Sequence, residues 1–290
     1  MSYASVLKPG LFAGQTHVVT GGGSGIGRCT AHELAALGAH VIVTGRTQSK
    51  LDAVVAEITA DGGTASAQAF DIRDEDAVKT AVQAMVTQHG PIHGLVNNAG
   101  GQFPSPAMMM SKNGFDAVVR NNLTGGFLVA REVLLQSMRD TGGAIVNIVA
   151  DMWGGMPGMA HSGAARAGMV NLTETLAVEW AQFGVRVNAV APGWVASSGM
   201  DSYDPAFTQQ IIPMMSELVP LKRMSTEAEV SSAICFLLSE GAAFISGSCV
   251  KIDGAASLNA KLFPLPDHDR SRPYQGFHRY QPPKAVADSD

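Results

Sequence analysis

The residues from Gly21 to Gly27 have the types and spacing of a turn that binds phosphate. They directly follow a short apolar stretch, His17 to Thr20, and precede a segment whose apolar residues recur at helical spacing. In such a strand–turn–helix unit, Gly21 makes the turn, Gly25 lets the backbone approach a pyrophosphate and Gly27 lets the helix pack on the strand. A flexible glycine loop would not explain the strand on one side and the helix on the other. The sequence therefore predicts a dinucleotide phosphate site.

The next apolar strand, His40 to Thr44, ends in Gly45-Arg46-Thr47. A site specific for NAD places a carboxylate near the end of this strand, where it holds the ribose 2′-hydroxyl. No carboxylate is present, and Arg46 instead offers a planar guanidinium suited to a 2′-phosphate. The alternative is a solvated surface arginine. The pattern favours NADPH as the cofactor.

A second group of polar side chains follows a buried strand, Ile145 to Val149, in the middle of the chain. Asp151 is either an ordinary loop carboxylate or an acid, if desolvation raises its pKa. Ser162 is either a hydrogen-bond donor in a reactive site or the N-cap of the helix that follows. For His161 a surface position is expected.

The composition of the chain is that of a globular protein with a large hydrophobic core, which can position these groups. The chain has 290 residues, of which 46% are hydrophobic and 16% are charged. Apolar strands alternate with helical patterns from residue 14 to residue 258, which predicts one α/β domain with a parallel sheet. The net charge of −5 argues against non-specific nucleic-acid binding.

Targeting and metal signals are missing from the sequence. The three cysteines are far apart and lack the spacing of metal ligands, so no metal site is expected. No apolar run approaches the roughly 20 residues of a membrane helix, and the first residues lack the apolar core of a secretory signal. A cytoplasmic protein without a membrane partner is expected.

Two segments lack a regular period. Residues 197–225 carry several methionines and prolines, and a long irregular segment of this kind within a compact domain is typical of a mobile cover over a substrate. Tyr203 within it is a candidate for reaching the reactive site. Residues 259–290 show no core period, so disorder or wrapping over a neighbouring subunit are both open.

Four motifs identify a family resemblance. Thr20–Gly27 reads T-G-x-x-x-G-x-G, residues 97–100 read NNAG, Asn122 opens NLTGGF, and a Pro-Gly turn follows the strand that begins near Arg186. Together these resemble the short-chain dehydrogenase/reductase family. The resemblance implies a single-domain Rossmann fold with a doubly wound parallel sheet, and a homotetramer. Residues 101–106 and 161–168 further resemble the branch that contains peroxisomal trans-2-enoyl-CoA reductase and the 2,4-dienoyl-CoA reductases.

The resemblance also assigns roles to individual residues. Asn122 matches a catalytic asparagine that positions a water through its backbone; a local helix bond is the alternative. Asp71 would contact the adenine amino group, Ile72 would pack on the ring, and Arg166 would bind the nicotinamide ribose. The complete cofactor site implied in this way is Gly21, Ser24, Gly25, Ile26, Gly27, Arg46, Asp71, Ile72, Asn98, Ala99, Gly100, Arg166, Pro192, Gly193 and Val195.

The catalytic positions depart from the family pattern. A serine, a tyrosine and a lysine are usual there, and this chain has Val149, Ser162 and Arg166 in their places. An aliphatic hydroxyl is a very weak acid and a guanidinium does not titrate, so the usual proton donor to a carbonyl oxygen is missing.

Enoyl thioester reduction makes a different demand. Hydride adds at the β-carbon, and the site needs only hydrogen-bond donors that stabilise a thioester enolate. We therefore expect NADPH-dependent reduction of trans-2-enoyl or 2,4-dienoyl CoA thioesters, with Asn122, Ser162, Arg166 and Asp151 as candidate catalytic residues. The alternatives are a dehydrogenase of branched or terpenoid alcohols, a reductase of 3-oxoacyl thioesters, and an inactive dinucleotide-binding sensor.

The cofactor preference can be tested at one residue. Arg46→Ala should weaken NADPH binding about 10- to 150-fold, because a charge-assisted contact contributes about 1.5–3 kcal/mol. NADH binding, which lacks the 2′-phosphate contact, should change little. Fluorescence titration with both cofactors measures this, and equal losses for the two would show that Arg46 does not bind the phosphate.

Overall fold

A parallel β-sheet forms the centre of the protein in a computed structural model that describes residues 2–202, 212, 214–259 and 265–287. Within these residues the sheet has seven strands in the order β3-β2-β1-β4-β5-β6-β7. The strands are β1 (Thr16–Thr20), β2 (His40–Gly45), β3 (Thr64–Ala69), β4 (Gly94–Asn97), β5 (Gly143–Ile148), β6 (Val185–Pro192) and β7 (Cys249–Ile252). The strand order reverses between β1 and β4, so the crevice for a ligand lies at the carboxyl ends of these two strands.

Helices cover both faces of the sheet. They are α1 (Gly25–Ala36), α2 (Gln48–Ala60), α3 (Glu75–His89), α4 (Lys112–Val119), α5 (Gly125–Val133), α6 (Arg139–Thr141), α7 (Ala160–Glu179), α8 (Glu227–Leu238) and α9 (Lys284–Ala287). Two π-helical segments, Arg120–Thr124 and Leu134–Met138, join α4, α5 and α6 into one continuous rod. None of the helices in the described ranges is long and apolar enough to cross a membrane.

The hydrophobic core is divided by the sheet into two layers, because successive strand residues point to opposite faces. Val19 belongs to the layer formed with α1, α2 and α8, and its neighbour Val18 belongs to the layer formed with α3, α5 and α7. Both valines are fully buried. The expectation of a doubly wound α/β fold is confirmed.

Local sequence signals explain where several helices begin. Asp74 accepts a hydrogen bond from the backbone N–H of Ala77 and so caps α3. Thr226 and Glu229 form a reciprocal capping box at the start of α8. The closing strand β7 is short: Cys249–Ile252 pair with β6, and Phe244 before it is entirely exposed. Residues 244–248 form a turn and a bend that lead into the strand.

The C-terminal tail differs from expectation. Within the described residues 265–287 it is ordered and packs on its own chain. Phe277 is 1% exposed, stacks on Tyr3 and lies under the guanidinium of Arg28, whose Cζ is 5.0 Å from the ring centroid. Arg279 forms two hydrogen bonds of 2.7 Å to the Asp61 carboxylate. A buried aromatic ring, an ion pair and hydrogen bonds from Tyr274 and Tyr280 anchor the tail, and such contacts leave no periodic pattern in the sequence.

The anchoring of the tail can be tested by stability measurements. Phe277→Ala should lower the free energy of unfolding by about 3–5 kcal/mol while the tail remains docked, because it empties a buried aromatic site. Phe244→Ala removes the same ring from an exposed position and should change stability by less than about 0.5 kcal/mol. Urea denaturation of both variants provides the comparison, and equal small effects would mean that the tail does not dock on its own subunit.

Candidate functional site

The loop that follows β1 and the loop that follows β4 are joined by hydrogen bonds. The Thr20 hydroxyl oxygen accepts hydrogen bonds from the backbone N–H groups of Asn98 and Ala99, at 3.0 and 2.9 Å. The Asn98 amide donates to the carbonyls of Thr20 and Gly21. A Cβ at Gly27 would lie 2.5 Å from the Gly21 carbonyl oxygen, so only glycine fits there. The loops are therefore held rigidly beside the N-terminus of α1.

The glycine turn leaves the start of α1 open to a ligand. Gly21 and Gly25 have φ angles of +64° and +56°, which glycine adopts without strain. Ser24 is the exposed N-cap of α1 and makes no side-chain capping bond in the described structure, whereas Ile26 packs partly against the core. Free N–H groups at a helix N-terminus favour an anion. The residues fit the pyrophosphate of a dinucleotide.

A groove beside this turn has the dimensions and charge of a site for the adenosine end. Arg46 is exposed there, and Lys50 lines the same groove from the first turn of α2. Asp71 lies at the groove, but Arg73 donates hydrogen bonds to its carboxylate and holds its pKa at about 2. Sequence reasoning missed Lys50, whose signal was its position four residues after Arg46. Ile72 is buried against Gly125, where a Cβ would meet it at 2.7 Å.

Ser162 lies at the third position of α7, where its side chain is fully buried. The N-cap is Met159, so the helix-cap alternative for Ser162 is wrong. The Ser162 hydroxyl donates to Oε1 of Gln102 at 2.6 Å. The sequence analysis assigned no role to Gln102, although it lies within residues 101–106, which resemble the enoyl-CoA reductase branch.

His161 is buried, contrary to the surface position expected for it. Its Nδ1 accepts a hydrogen bond from the Ser162 backbone N–H, and its ring meets Phe103 edge-on, with centroids 4.6 Å apart. Because Nδ1 accepts, the proton of the neutral ring is on Nε2, which has no partner among the described residues. The helix start is therefore packed against the loop of Gln102 and Phe103.

Arg166 lies on the next turn of α7. Its Nη1 donates to the carbonyl of Ile148 at 2.6 Å, and its Nε has no partner among the described residues. A Cβ at Gly100 would lie 2.9 Å from Nη2 of Arg166 and 2.6 Å from Oδ1 of Asn122. Burial lowers the pKa of Arg166 to about 10, so it keeps its charge at neutral pH. An unpaired, charged donor at this depth suits the hydroxyl groups of a ribose.

Asn122 fixes the loop on which the site depends. Its amide donates to the carbonyls of Gly101 and Val118, and its oxygen accepts from the backbone N–H of Gly101. It lies in the π-helical segment Arg120–Thr124, a distortion that is frequent at functional sites. The side chain thus clamps the loop between β4 and Gln102.

Val149 and Asp151 complete the survey of the expected catalytic positions. Val149 is buried in an apolar cluster with Met169 and brings no hydroxyl to the site. Burial, and then the charge of Asp253, raise the pKa of the Asp151 carboxyl. No hydrogen bond within the described residues joins Asp151 to Ser162. The structure therefore places Asp151 beside β7, apart from the hydrogen-bonded group around Ser162.

The turn expected to meet the nicotinamide follows β6. The Gly193 N–H donates to the carbonyl of Ile252, and a Cβ at Gly193 would lie 2.9 Å from the Asp253 Cα. Val195 forms an isolated parallel bridge with Ser225. Pro192, Gly193 and Val195 thus form a fixed edge at the carboxyl ends of β6 and β7.

A titrating phenol is missing from this group of described residues. Tyr274 donates to the carbonyl of Ala4, Tyr280 donates to the carbonyl of Ala196, and Tyr3 is buried against the tail. Tyr203 and residues 204–211 of the expected cover lie outside the described residues. The described site can bind a dinucleotide and offer neutral or permanently charged donors, and it offers no weak acid in the tyrosine position.

Comparisons with known proteins agree with this geometry. Residues 21–256 match the sequence model of the family described as enoyl-(acyl carrier protein) reductase. A probable 2,4-dienoyl-CoA reductase of Bacillus subtilis is 36% identical over 85% of this chain and 98% of its own length. A 3-oxoacyl-acyl-carrier-protein reductase of Staphylococcus epidermidis is also 36% identical, over 82% of this chain and 96% of its own.

A solved structure resembles the chain more strongly in sequence. The citronellol catabolism dehydrogenase AtuB of Pseudomonas aeruginosa is 61% identical, with a TM-score of 0.80 over 88% of this chain and 100% of that chain. The interlocked glycine turn, the parallel sheet and these matches have one explanation. The chain belongs to the short-chain dehydrogenase/reductase family and is an oxidoreductase with an NAD(P)-binding fold.

Proposed function

We propose that the protein reduces the carbon–carbon double bond of trans-2-enoyl or 2,4-dienoyl CoA thioesters with NADPH. The observation that carries the proposal is the residue found where the family usually has its catalytic tyrosine. Ser162 occupies it, and its buried hydroxyl donates to Gln102. Carbonyl reduction needs a proton delivered to oxygen as hydride moves, and an aliphatic hydroxyl with its proton already donated to an amide serves that purpose poorly.

The hydrogen bond also suggests which group stabilises the enolate. Because Oε1 of Gln102 accepts from Ser162, the Nε2 end of the planar amide is directed away from Ser162. The amide nitrogen carries two N–H groups. We propose that one of them donates to the thioester oxygen, with Ser162 as the positioning residue of the Gln102 side chain. The Asn122 clamp on Gly101 holds the adjoining backbone, so the donor is fixed before the substrate binds.

The reaction then balances without a side-chain acid. When bound, NADPH would supply hydride to the β-carbon, and the electron pair of the double bond would move toward the thioester oxygen. The Gln102 amide stabilises the negative charge on that oxygen, and solvent water then protonates the α-carbon. Arg166 adds a permanent positive charge within the site.

The basic groove supports NADPH over NADH. Arg46 and Lys50 both line it, and the end of β2 carries no carboxylate to hold a free 2′-hydroxyl. Two cations at this place suit a 2′-phosphate. An acyl-CoA-like molecule is the partner that the proposal requires.

A second candidate rests on the relative that is 61% identical. Its name places it in citronellol catabolism as a dehydrogenase, which favours a branched terpenoid alcohol as the substrate. The chemistry of the described site favours the thioester, and a terpenoid trans-2-enoyl-CoA would satisfy both observations. The substrate panel must therefore include branched members of each class.

One absorbance assay separates these candidates. We expect NADPH consumption with a trans-2-enoyl-CoA, straight-chain or terpenoid, and at least about tenfold slower turnover of a 3-oxoacyl-CoA, for which the site offers no general acid. Citronellol with NADP⁺ is the third arm. Rapid reduction of the 3-oxoacyl-CoA or oxidation of citronellol, with every enoyl thioester inactive, would overturn the proposal.

The roles of Gln102 and Ser162 can be separated by a double-mutant cycle on the enoyl-CoA reaction. Gln102→Ala should slow turnover by about 10²–10³-fold, the usual cost of a lost oxyanion donor. Ser162→Ala should slow it by a smaller factor, and should add little in the Gln102→Ala background, because Ser162 acts through Gln102. Full additivity of the two losses would show that Ser162 acts independently. Cofactor titration of each variant checks that binding is retained.

A further inference from the structure

Glu227 is a buried carboxyl group beside the phosphate-binding turn, and none of the family motifs includes it. It is the first residue of α8 and is 5% exposed. Its Oε1 lies 3.9 Å from the position of a Cβ on Gly25. Gly25 begins α1 and belongs to the turn that fits the pyrophosphate. The carboxyl group therefore faces the phosphate site from the neighbouring helix.

The groups around Glu227 do not neutralise it by a direct ion pair. Arg28 of α1 interacts with it electrostatically, but its guanidinium donates two hydrogen bonds to Glu57, at 2.8 and 2.9 Å, and covers the ring of Phe277. No salt bridge to Glu227 is formed within the described residues.

The other groups that face the carboxyl come from three elements. Cys29 of α1 and Tyr280 of the tail are neutral groups whose pKa values its charge raises. The backbone of Ser198, on the segment after β6, also forms a hydrogen bond with the carboxyl. Among the described residues, Glu227 thus interacts with one cation that is already paired elsewhere and one neutral donor.

Burial among these groups has a strong effect on the pKa of the Glu227 carboxyl. It raises the pKa of Glu227 to about 7, against the opposing effects of Arg28 and of the Ser198 hydrogen bond. The group therefore changes its charge near neutral pH. A pyrophosphate bound at the N-terminus of α1 would bring further negative charge close to it.

We propose that Glu227 determines the affinity for the dinucleotide: its carboxyl opposes the pyrophosphate when ionised and admits it when protonated, so that cofactor binding takes up a proton. The proposal concerns the cofactor alone. It holds whichever substrate the enzyme reduces, and a failure of the thioester assay would leave it unaffected.

The sign of the pH dependence follows from the charge. Below pH 7 the carboxyl of the free protein is neutral, and the cofactor binds with full affinity. As the pH rises through about 7, the Glu227 carboxyl of the free protein loses its proton. Cofactor binding must then be accompanied by the uptake of a proton, which weakens the affinity. If the bound phosphates raise the pKa by about one unit, the affinity falls about tenfold in total and then becomes constant.

The test measures the dissociation constant of NADH by fluorescence from pH 6 to pH 9 at constant ionic strength. NADH is the probe because the 2′-phosphate of NADPH itself titrates near pH 6. The wild-type constant should rise about tenfold over this range. In Glu227→Gln it should stay close to the low-pH wild-type value throughout. Glu227→Ala, which removes the carboxyl without an amide, should show the same flat profile.

A matched control removes an equal charge away from the turn. Glu240→Gln lies in the turn that follows α8, is exposed, and should keep the wild-type slope. Melting temperatures confirm that each variant is folded. Identical pH profiles for wild type and Glu227→Gln would overturn the proposal. So would weaker binding by Glu227→Gln at every pH, since that result would mean that the carboxyl holds the ligand.

Discussion

The contact between the carboxyl ends of β1 and β4 is the constraint on which the site depends. Asn98 donates two hydrogen bonds to Thr20 across the point where the strand order reverses, one from its backbone N–H and one from its side-chain amide. The same amide also donates to the carbonyl of Gly21. The approach is so close that a side chain at Gly27 has no space. Consequently α1 starts at a fixed distance from the sheet edge, and its N-terminus, Asn98 and the loop after β4 form one rigid surface.

The reactive part of the site extends from this surface. The loop after β4 passes between the Asn122 and Arg166 side chains, both of which a Cβ at position 100 would displace, and continues to Gln102. Each polar group there is fixed by another: Asn122 by Gly101, Gln102 by Ser162, and Arg166 by the end of β5. Among the described residues these groups are neutral donors or a permanent cation, a set that suits the stabilisation of negative charge.

A buried carboxyl group beside the cofactor turn comes from a different part of the chain. Glu227 starts α8, which packs on α1, and the tail closes over the outer side of α1 through Phe277. Because the tail excludes water from this region, Cys29 is fully buried and Tyr3 is nearly so. Tail docking and the environment of the phosphate turn are thus physically connected through α1.

Much of the fold and of the cofactor site could be predicted from the sequence, because both depend on local patterns. The apolar strands, the capping residues and the glycine spacing of residues 21–27 specify the strand–turn–helix units, and parallel strands joined by helices leave few arrangements open. The replacement of the usual tyrosine by Ser162 was also visible in the sequence alone, as was the arginine at position 46.

Only the tertiary structure decided how side chains from distant segments meet. Ser162 and Gln102 are 60 residues apart, and their hydrogen bond depends on the packing of α7 against the loop after β4. Burial of His161, docking of Phe277 and the position of Glu227 beside Gly25 likewise leave no periodic signal. The sequence determines which groups are present and which local elements carry them. Burial and long-range contacts determine which of those groups keep a proton, a charge or a free donor.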